Sequence, residues 1–140
     1  MKLRVLGCSG AELLEHKVTS FLINEDTLLD AGTVVSSLTL EEQAKIENII
    51  ISHIHLDHIK DIPFLADNVI GRGKTINIIS TPFVLDGLKK YIFNDMVWPD
   101  FTRLPDKKCP VIRLVPLDAG KELTLGGIKI KPVKVNHVVP

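Results

Sequence analysis

Cysteine, aromatic residues and net charge are all scarce in this 140-residue sequence, and each scarcity removes a class of protein. The two cysteines, Cys8 and Cys109, stand far apart, so they build neither a disulfide framework nor a C-x-x-C redox or zinc motif. Lys and Arg number 17 and so do Asp and Glu, giving a formal net charge of +0. That balance excludes a polybasic nucleic-acid arm, although a local site can still take an anionic substrate. The apolar opening Met1–Leu6 already carries Lys2 and Arg4 and breaks at Gly7. It is too short for a secretory core or a membrane span. The default expectation is a cytoplasmic protein with no membrane partner. With 45% apolar and 24% charged residues, the composition suits a folded domain rather than a disordered tail.

No repeat, low-complexity stretch or flexible linker divides the chain, so residues 1–140 read as one domain. Strands are expected over 2–6, 18–23 and 27–29, with Gly7-Cys8-Ser9-Gly10, Asn24-Glu25-Asp26 and Asp30-Ala31-Gly32-Thr33 as the breaks between and after them. Thr39 with Glu42 has the spacing of a capping box and opens a helix over 40–46. Asn48-Ile49-Ile50-Ile51-Ser52 does not alternate and reads as a strand buried on both faces. A helix follows from about Asp61 with Pro63 in its first turn, then a strand over 76–79. Thr81-Pro82 starts a helix reaching about Phe93. Residues 98–110 contain three prolines and form a loop. Strands over 111–115, 122–125 and 128–135 close the chain, with Gly126-Gly127 as a hairpin turn. The order of elements is that of an α/β chain.

Five histidines occur, and three of them fall in His53-Ile54-His55-Leu56-Asp57-His58, directly after the apolar strand. Side chains repeat every two residues along a strand, so His53 and His55 share a side. A chain that leaves the strand there can turn Asp57 and His58 onto the same pocket. Imidazole and carboxylate donors suit zinc, manganese or iron, and the C-terminal end of a strand is the usual place for a site in an α/β protein. The bland alternative, a solvated histidine-rich loop, requires four ligand-type residues to coincide in this spacing.

On these residues the sequence resembles the metallo-β-lactamase superfamily, whose signature is H-x-H-x-D-H at a strand end. The form His53-Ile54-His55-Leu56-Asp57-His58 looks most like the class II cyclic-nucleotide phosphodiesterases. Leu6-Gly7-Cys8-Ser9-Gly10, Leu29-Asp30-Ala31-Gly32-Thr33 and Val135-Asn136-His137-Val138-Val139-Pro140 resemble further segments of the same family. The resemblance implies an α+β, αββα sandwich, of which residues 1–140 are the N-terminal part, about the first half, truncated at the C-terminus. It implies two divalent metal ions, zinc foremost with manganese or iron as alternatives. His53, His55 and His137 would hold one, and Asp57 and His58 the other. Asp57 would also act catalytically by orienting a metal-activated hydroxide. Asp30 either supports the ligands from behind or stabilises the turn before Gly32. The family's second half supplies a bridging carboxylate and another histidine that this sequence lacks, leaving the second site incomplete. The intact protein is therefore expected to be an enzyme, and this chain alone weak or inactive, with association into a homo-oligomer expected of an open half-sandwich.

The implied substrate is a small phosphodiester such as a 3′,5′-cyclic nucleotide. Ribonuclease Z-like relatives share the motif, so RNA, a thioester or a lactone are alternatives, although the neutral charge disfavours nucleic acid. A non-catalytic metal-binding or assembly module is the alternative of another class. Asp61 departs from the family, which carries a small residue three positions after the last motif histidine. Among the remaining residues, His16 is expected to be solvated, Cys8 small and buried, and Cys109 an incidental loop thiol. Gly71-Arg72-Gly73-Lys74 reads as a surface turn rather than a phosphate cradle, and Lys107-Lys108 as solvent-facing. Trp98 is equally a base-stacking wall or a hydrophobic anchor.

Overall fold

A computed structural model of the chain describes residues 1–138; Val139 and Pro140, the end of the family-like terminal segment, lie outside the described residues. Six strands form one sheet in chain order: β1 (Leu3–Gly7), β2 (Ser20–Ile23), β3 (Thr27–Ala31), β4 (Asn48–Ile50), β5 (Ile76–Ser80) and β6 (Ile112–Pro116). The first three pair antiparallel and β3 to β6 pair parallel. Connection length explains the change. The short turn between β2 and β3 can only reverse the chain, whereas the parallel neighbours from β3 onward need long crossovers that carry helices. These helices are α1 (Leu40–Gln43), α2 (Leu56–Ile59), α3 (Ile62–Val69) and α4 (Pro82–Tyr91). A separate hairpin, β7 (Leu123–Leu125) with β8 (Ile128–Ile130), turns at Gly126 and Gly127 with φ of 51° and 82°, the positive pair that a two-residue hairpin turn demands.

The core lies on one face of the sheet. Leu28, Ile49 and Ile78 stand opposite one another on β3, β4 and β5 and are fully buried with Leu65 and Ala66 of α3 and Val84 and Leu88 of α4. Each of the larger of these side chains contributes roughly 1.5–3 kcal/mol by leaving water. On the opposite face, Val5, Phe21, Leu29, Ile50, Ile79 and Val115 are matched strand to strand across the whole sheet. This band is only partly covered, with Val5 57% exposed. A cavity of about 610 Å³ lies between Leu29, Ile50 and Ile79 and the segment after β8, and it reaches His53 and His137.

That open face corrects one expectation. The non-alternating run at β4 is not buried on both sides, because Ile49 faces the core while Ile50 is half-exposed in the band. The other differences are local. The capping box at Thr39 and Glu42 is formed, but α1 stops at Gln43 because Lys45 and Ile46 donate to carbonyls three residues back, tightening the chain to bury Ile46. β3 runs on through Asp30 to Ala31, α2 forms inside the histidine motif, and α4 ends at Tyr91. β8 ends at Ile130, two residues before Pro132, which has no N–H to extend a ladder. Cys8 is exposed rather than buried, since Gly7 at the end of β1 is the residue turned inward. No helix among the described residues is long and apolar enough to cross a membrane.

Candidate metal centre

The site grows from the C-terminal end of β4. Beyond Ile50 the chain leaves the strand, bends at Ser52 and runs to His55, an extended residue with φ −62° and ψ 146° that starts α2. Alternation along this stretch turns His53 and His55 to one side and Ile54 to the other. There the Ile54 Cδ1 sits 2.2 Å from where a Cβ of Gly87 would be, so the absent side chain of Gly87 lets α4 approach the motif. The single turn of α2 then carries Asp57 and His58 back toward the first two histidines, completing the reversal that the motif spacing requires.

The rings converge. His53 Nε2 lies 3.1 Å from His55 Nδ1, and the His53 ring centre is 4.1 Å from that of His58. His137, exposed and far along the chain after β8, stands 4.7 Å from the His53 ring and 5.1 Å from the His55 ring. One nitrogen from each of His53, His55 and His137 falls within a mutual 4.8 Å. Nitrogens holding one zinc would lie roughly 3.4 Å apart, so three imidazoles gathered this closely form a donor set that suits a divalent cation. His58 and Asp57 form the adjacent pair, His58 Nε2 being 3.3 Å from Asp57 Oδ2.

Asp30 stands behind this pair. Its Oδ2 lies 2.8 Å from His58 Nδ1, and its Oδ1 accepts from the Ser52 backbone N–H at 2.8 Å. The Ser52 hydroxyl bridges the Asp30 carboxylate and His53 Nδ1. With His58 Nδ1 engaged by a carboxylate, Nε2 is the nitrogen left to face the pocket. Asp30 reaches this position through a β-bulge. Ser20 pairs with Ala31 and Phe21 with Leu29, leaving Asp30 as the extra residue at φ 57°, with its carbonyl held by the Ser20 hydroxyl. A short polar side chain tolerates that left-handed backbone, and a bulge of this kind re-aims a side chain out of the regular alternation.

Electrostatics favour the neutral form of His53. Removal from water lowers the His53 pKa below the ordinary histidine value, and the neighbouring His58, His55 and His137 push it further the same way against the opposing pull of Asp30. Neutral imidazole is the form that binds a cation. Gly32 closes the site from beneath, because a Cβ there would come within 1.8 Å of the Asp57 carbonyl oxygen.

His53, His55, Asp57, His58, His137 and Asp30 are thus brought together, and His16 is not: it sits exposed in a turn with Leu13. Trp98 is half-buried against the core with its ring edge-on to Phe64 at 5.1 Å, the arrangement of an anchor. Arg72 donates to the Ala44 carbonyl at 2.7 Å, tying a surface turn to the chain rather than cradling a phosphate. Sequence reasoning passed over Ser52, whose only signal was a hydroxyl directly before His53. It noted Asp61 only as a departure.

A mixed sheet with helices on one face and this donor cluster at a strand end has the architecture of the metallo-β-lactamase fold. Residues 25–140 match the family model for the Beta-lactamase superfamily domain, and the chain belongs to that family. It is 34% identical over 91 residues to 3′,5′-cyclic-nucleotide phosphodiesterase 1 of Saccharomyces cerevisiae, a match covering 62% of this chain and 24% of the relative. It is 26% identical to ribonuclease J of Methanocaldococcus jannaschii, covering 100% of this chain and 34% of that protein. The crystal structure of unliganded yeast PDE1 superposes with a TM-score of 0.70 at 16% identity, over 88% of this chain and 52% of the other. The chain therefore spans a quarter to a third of the curated relatives and about half of the solved structure.

Proposed function

We propose that the protein is a metal-dependent phosphodiesterase that cleaves 3′,5′-cyclic nucleotides. The observation that carries this reading is the convergence of His53, His55 and His137 on one point, with Asp57 and His58 beside it. In the proposal the first three hold one divalent ion, zinc foremost because imidazole nitrogens are among its usual donors, and the latter two contribute to a second. When bound, such a pair of cations lowers the pKa of water and neutralises charge developing on a phosphoryl oxygen. The chain's own groups do the rest. Asp30 accepts the Nδ1 proton of His58 and so directs Nε2 into the pocket, and Ser52 holds Asp30 and His53 in one network. Asp57 accepts a hydrogen bond from the attacking water and orients it. The likeness to the yeast phosphodiesterase supports a small phosphodiester substrate, and the two unpaired cysteines suit a cytoplasmic setting.

The test is zinc titration followed by assay against cyclic AMP and against structured RNA. The expected result is zinc binding that His53→Ala and His55→Ala abolish in this chain, and, for the intact protein, turnover of the cyclic nucleotide in preference to RNA. Zinc affinity unchanged in both variants overturns the reading. A second reading, cleavage of RNA phosphodiesters, is favoured by the ribonuclease J match along the whole chain. It is opposed by a formal charge of +0, because binding to a phosphate backbone draws on a basic excess. Cleavage of RNA without cyclic-nucleotide turnover would establish it instead.

A further inference from the structure

We infer that Asp61 is a positioning residue for the metal centre: its buried carboxylate locks the Gly32–Val35 loop against the histidine motif and thereby sets where Asp57 and His58 stand. The inference rests on the metal centre proposed above. Asp61 lies three residues beyond His58, at the start of α3, and is 4% exposed. An aspartate in that place ordinarily caps its own helix, but this side chain makes no capping bond. Its Oδ2 instead accepts from two consecutive backbone N–H groups of the neighbouring loop, Val34 at 2.6 Å and Val35 at 3.0 Å. Its own N–H donates to the Ala31 carbonyl at 2.9 Å.

The loop held in this way is the one that shapes the site. Asp30, just before it on β3, holds His58, Gly32 at its start is pressed against the Asp57 carbonyl, and Val34 and Val35 at its end are held by Asp61. Segment 30–35 therefore meets residues 57–61 at three successive points, two of them made by carboxylates acting in opposite directions across the same gap. Releasing the Asp61 end strands two N–H donors, one of them buried, and frees the surface against which Asp57 is braced. A bond pair that merely held the fold together would lower stability without reference to metal. One that braces the ligands must be coupled to metal binding, and such coupling is reciprocal.

Two measurements decide this. Zinc is titrated into the unsubstituted chain, Asp61→Asn and Asp61→Ala, and amide hydrogen exchange at Val34 and Val35 is followed in the unsubstituted chain with and without zinc. The expected result is zinc affinity about 10–100-fold weaker in Asp61→Ala, the range found when a group supporting metal ligands is lost. Asp61→Asn, which keeps an oxygen acceptor, recovers most of the loss, and zinc slows exchange at both amides. Unchanged zinc affinity in a folded Asp61→Ala, or exchange at Val34 and Val35 that zinc does not alter, overturns the inference. The exchange measurement needs no variant and decides the matter if Asp61→Ala does not fold. Failure of the unsubstituted chain to bind zinc overturns the proposed function and this inference together. Zinc binding without the coupling overturns the inference alone.

Discussion

Replacing Gly32 with alanine tests the packing beneath the proposed metal centre most directly. The added Cβ would lie 1.8 Å from the Asp57 carbonyl oxygen, 2.8 Å from its carbonyl carbon and 2.8 Å from the Thr19 carbonyl oxygen. Ordinary contact begins at 3.4 Å, so the Asp57 backbone must retreat by about 1.6 Å (3.4 − 1.8). Both obstacles are backbone, and neither can swing aside as a side chain would. The Gly32 N–H is itself bonded to Thr19 at 2.9 Å, which stops the loop from simply moving away. Overpacking of this kind costs about 1–3 kcal/mol. A domain of ordinary stability, about 5–15 kcal/mol, survives that loss, so the variant folds and the site can be examined. Displacing Asp57 and His58 by more than 1 Å spoils their geometry for a cation, and zinc affinity is expected to fall by about 10–100-fold. Urea unfolding and zinc calorimetry read the two effects separately. Gly10→Ala is the control, because nothing lies within 4 Å of a Cβ there. A Gly32→Ala protein that unfolds at the same urea concentration and binds zinc equally well would refute the packing argument.

Asp30→Asn removes the charge behind His58 and one acceptor for Ser52; zinc calorimetry is expected to show about 10–100-fold weaker binding with little change in melting. Ile49→Ala empties the centre of the core between Leu28 and Ile78 and should lower stability by about 2–5 kcal/mol in urea titration. Asp100 carries a pH dependence. Burial raises its pKa, but hydrogen bonds from Lys89 and Thr102 outweigh that and hold the carboxyl below its usual value. A depressed carboxylate contributes its stability above the unfolded value, about pH 3.9, and loses it as pH falls through the folded value. Asp100→Asn should therefore be destabilised by about 1–3 kcal/mol at pH 7, and thermal melting should show the gap to the unsubstituted chain closing below about pH 4.

The parts of the molecule legible in the sequence are those set by local chemistry. Thr39 and Glu42 announced their capping box, Pro82 the first turn of α4, and Gly126-Gly127 the hairpin turn. The histidine motif announced a cluster because strand alternation alone places His53 beside His55. What stayed hidden depended on partners remote in the chain. Nothing in the run Ile49–Ile51 says that one of its faces meets α3 and α4 while the other lines the cavity under the segment after β8. The helical turn within the motif, α2, is shorter than any periodicity can reveal. Asp61 stood out as a departure, but its work lies in hydrogen bonds to Val34 and Val35, which only the folded crossover brings within reach. His137 joined the site through resemblance, since an isolated histidine at a strand end carries no signal of its own.

The bulge at Asp30 makes the centre depend on counting residues as well as on their identity. Removing any one residue between Leu28 and Ala31 would restore the unbroken ladder of β2 with β3, since Asp30 is the one position there without a partner across the strands. Deleting Leu29, for example, would put Asp30 in its place opposite Phe21, on the face of the apolar band. Thus the carboxylate meant for His58 would turn toward another layer, while the residues named in the motif remained unchanged. For such a site a single-codon deletion is a more drastic event than most substitutions, and a scan of point variants along β3 would pass over the feature that aims it.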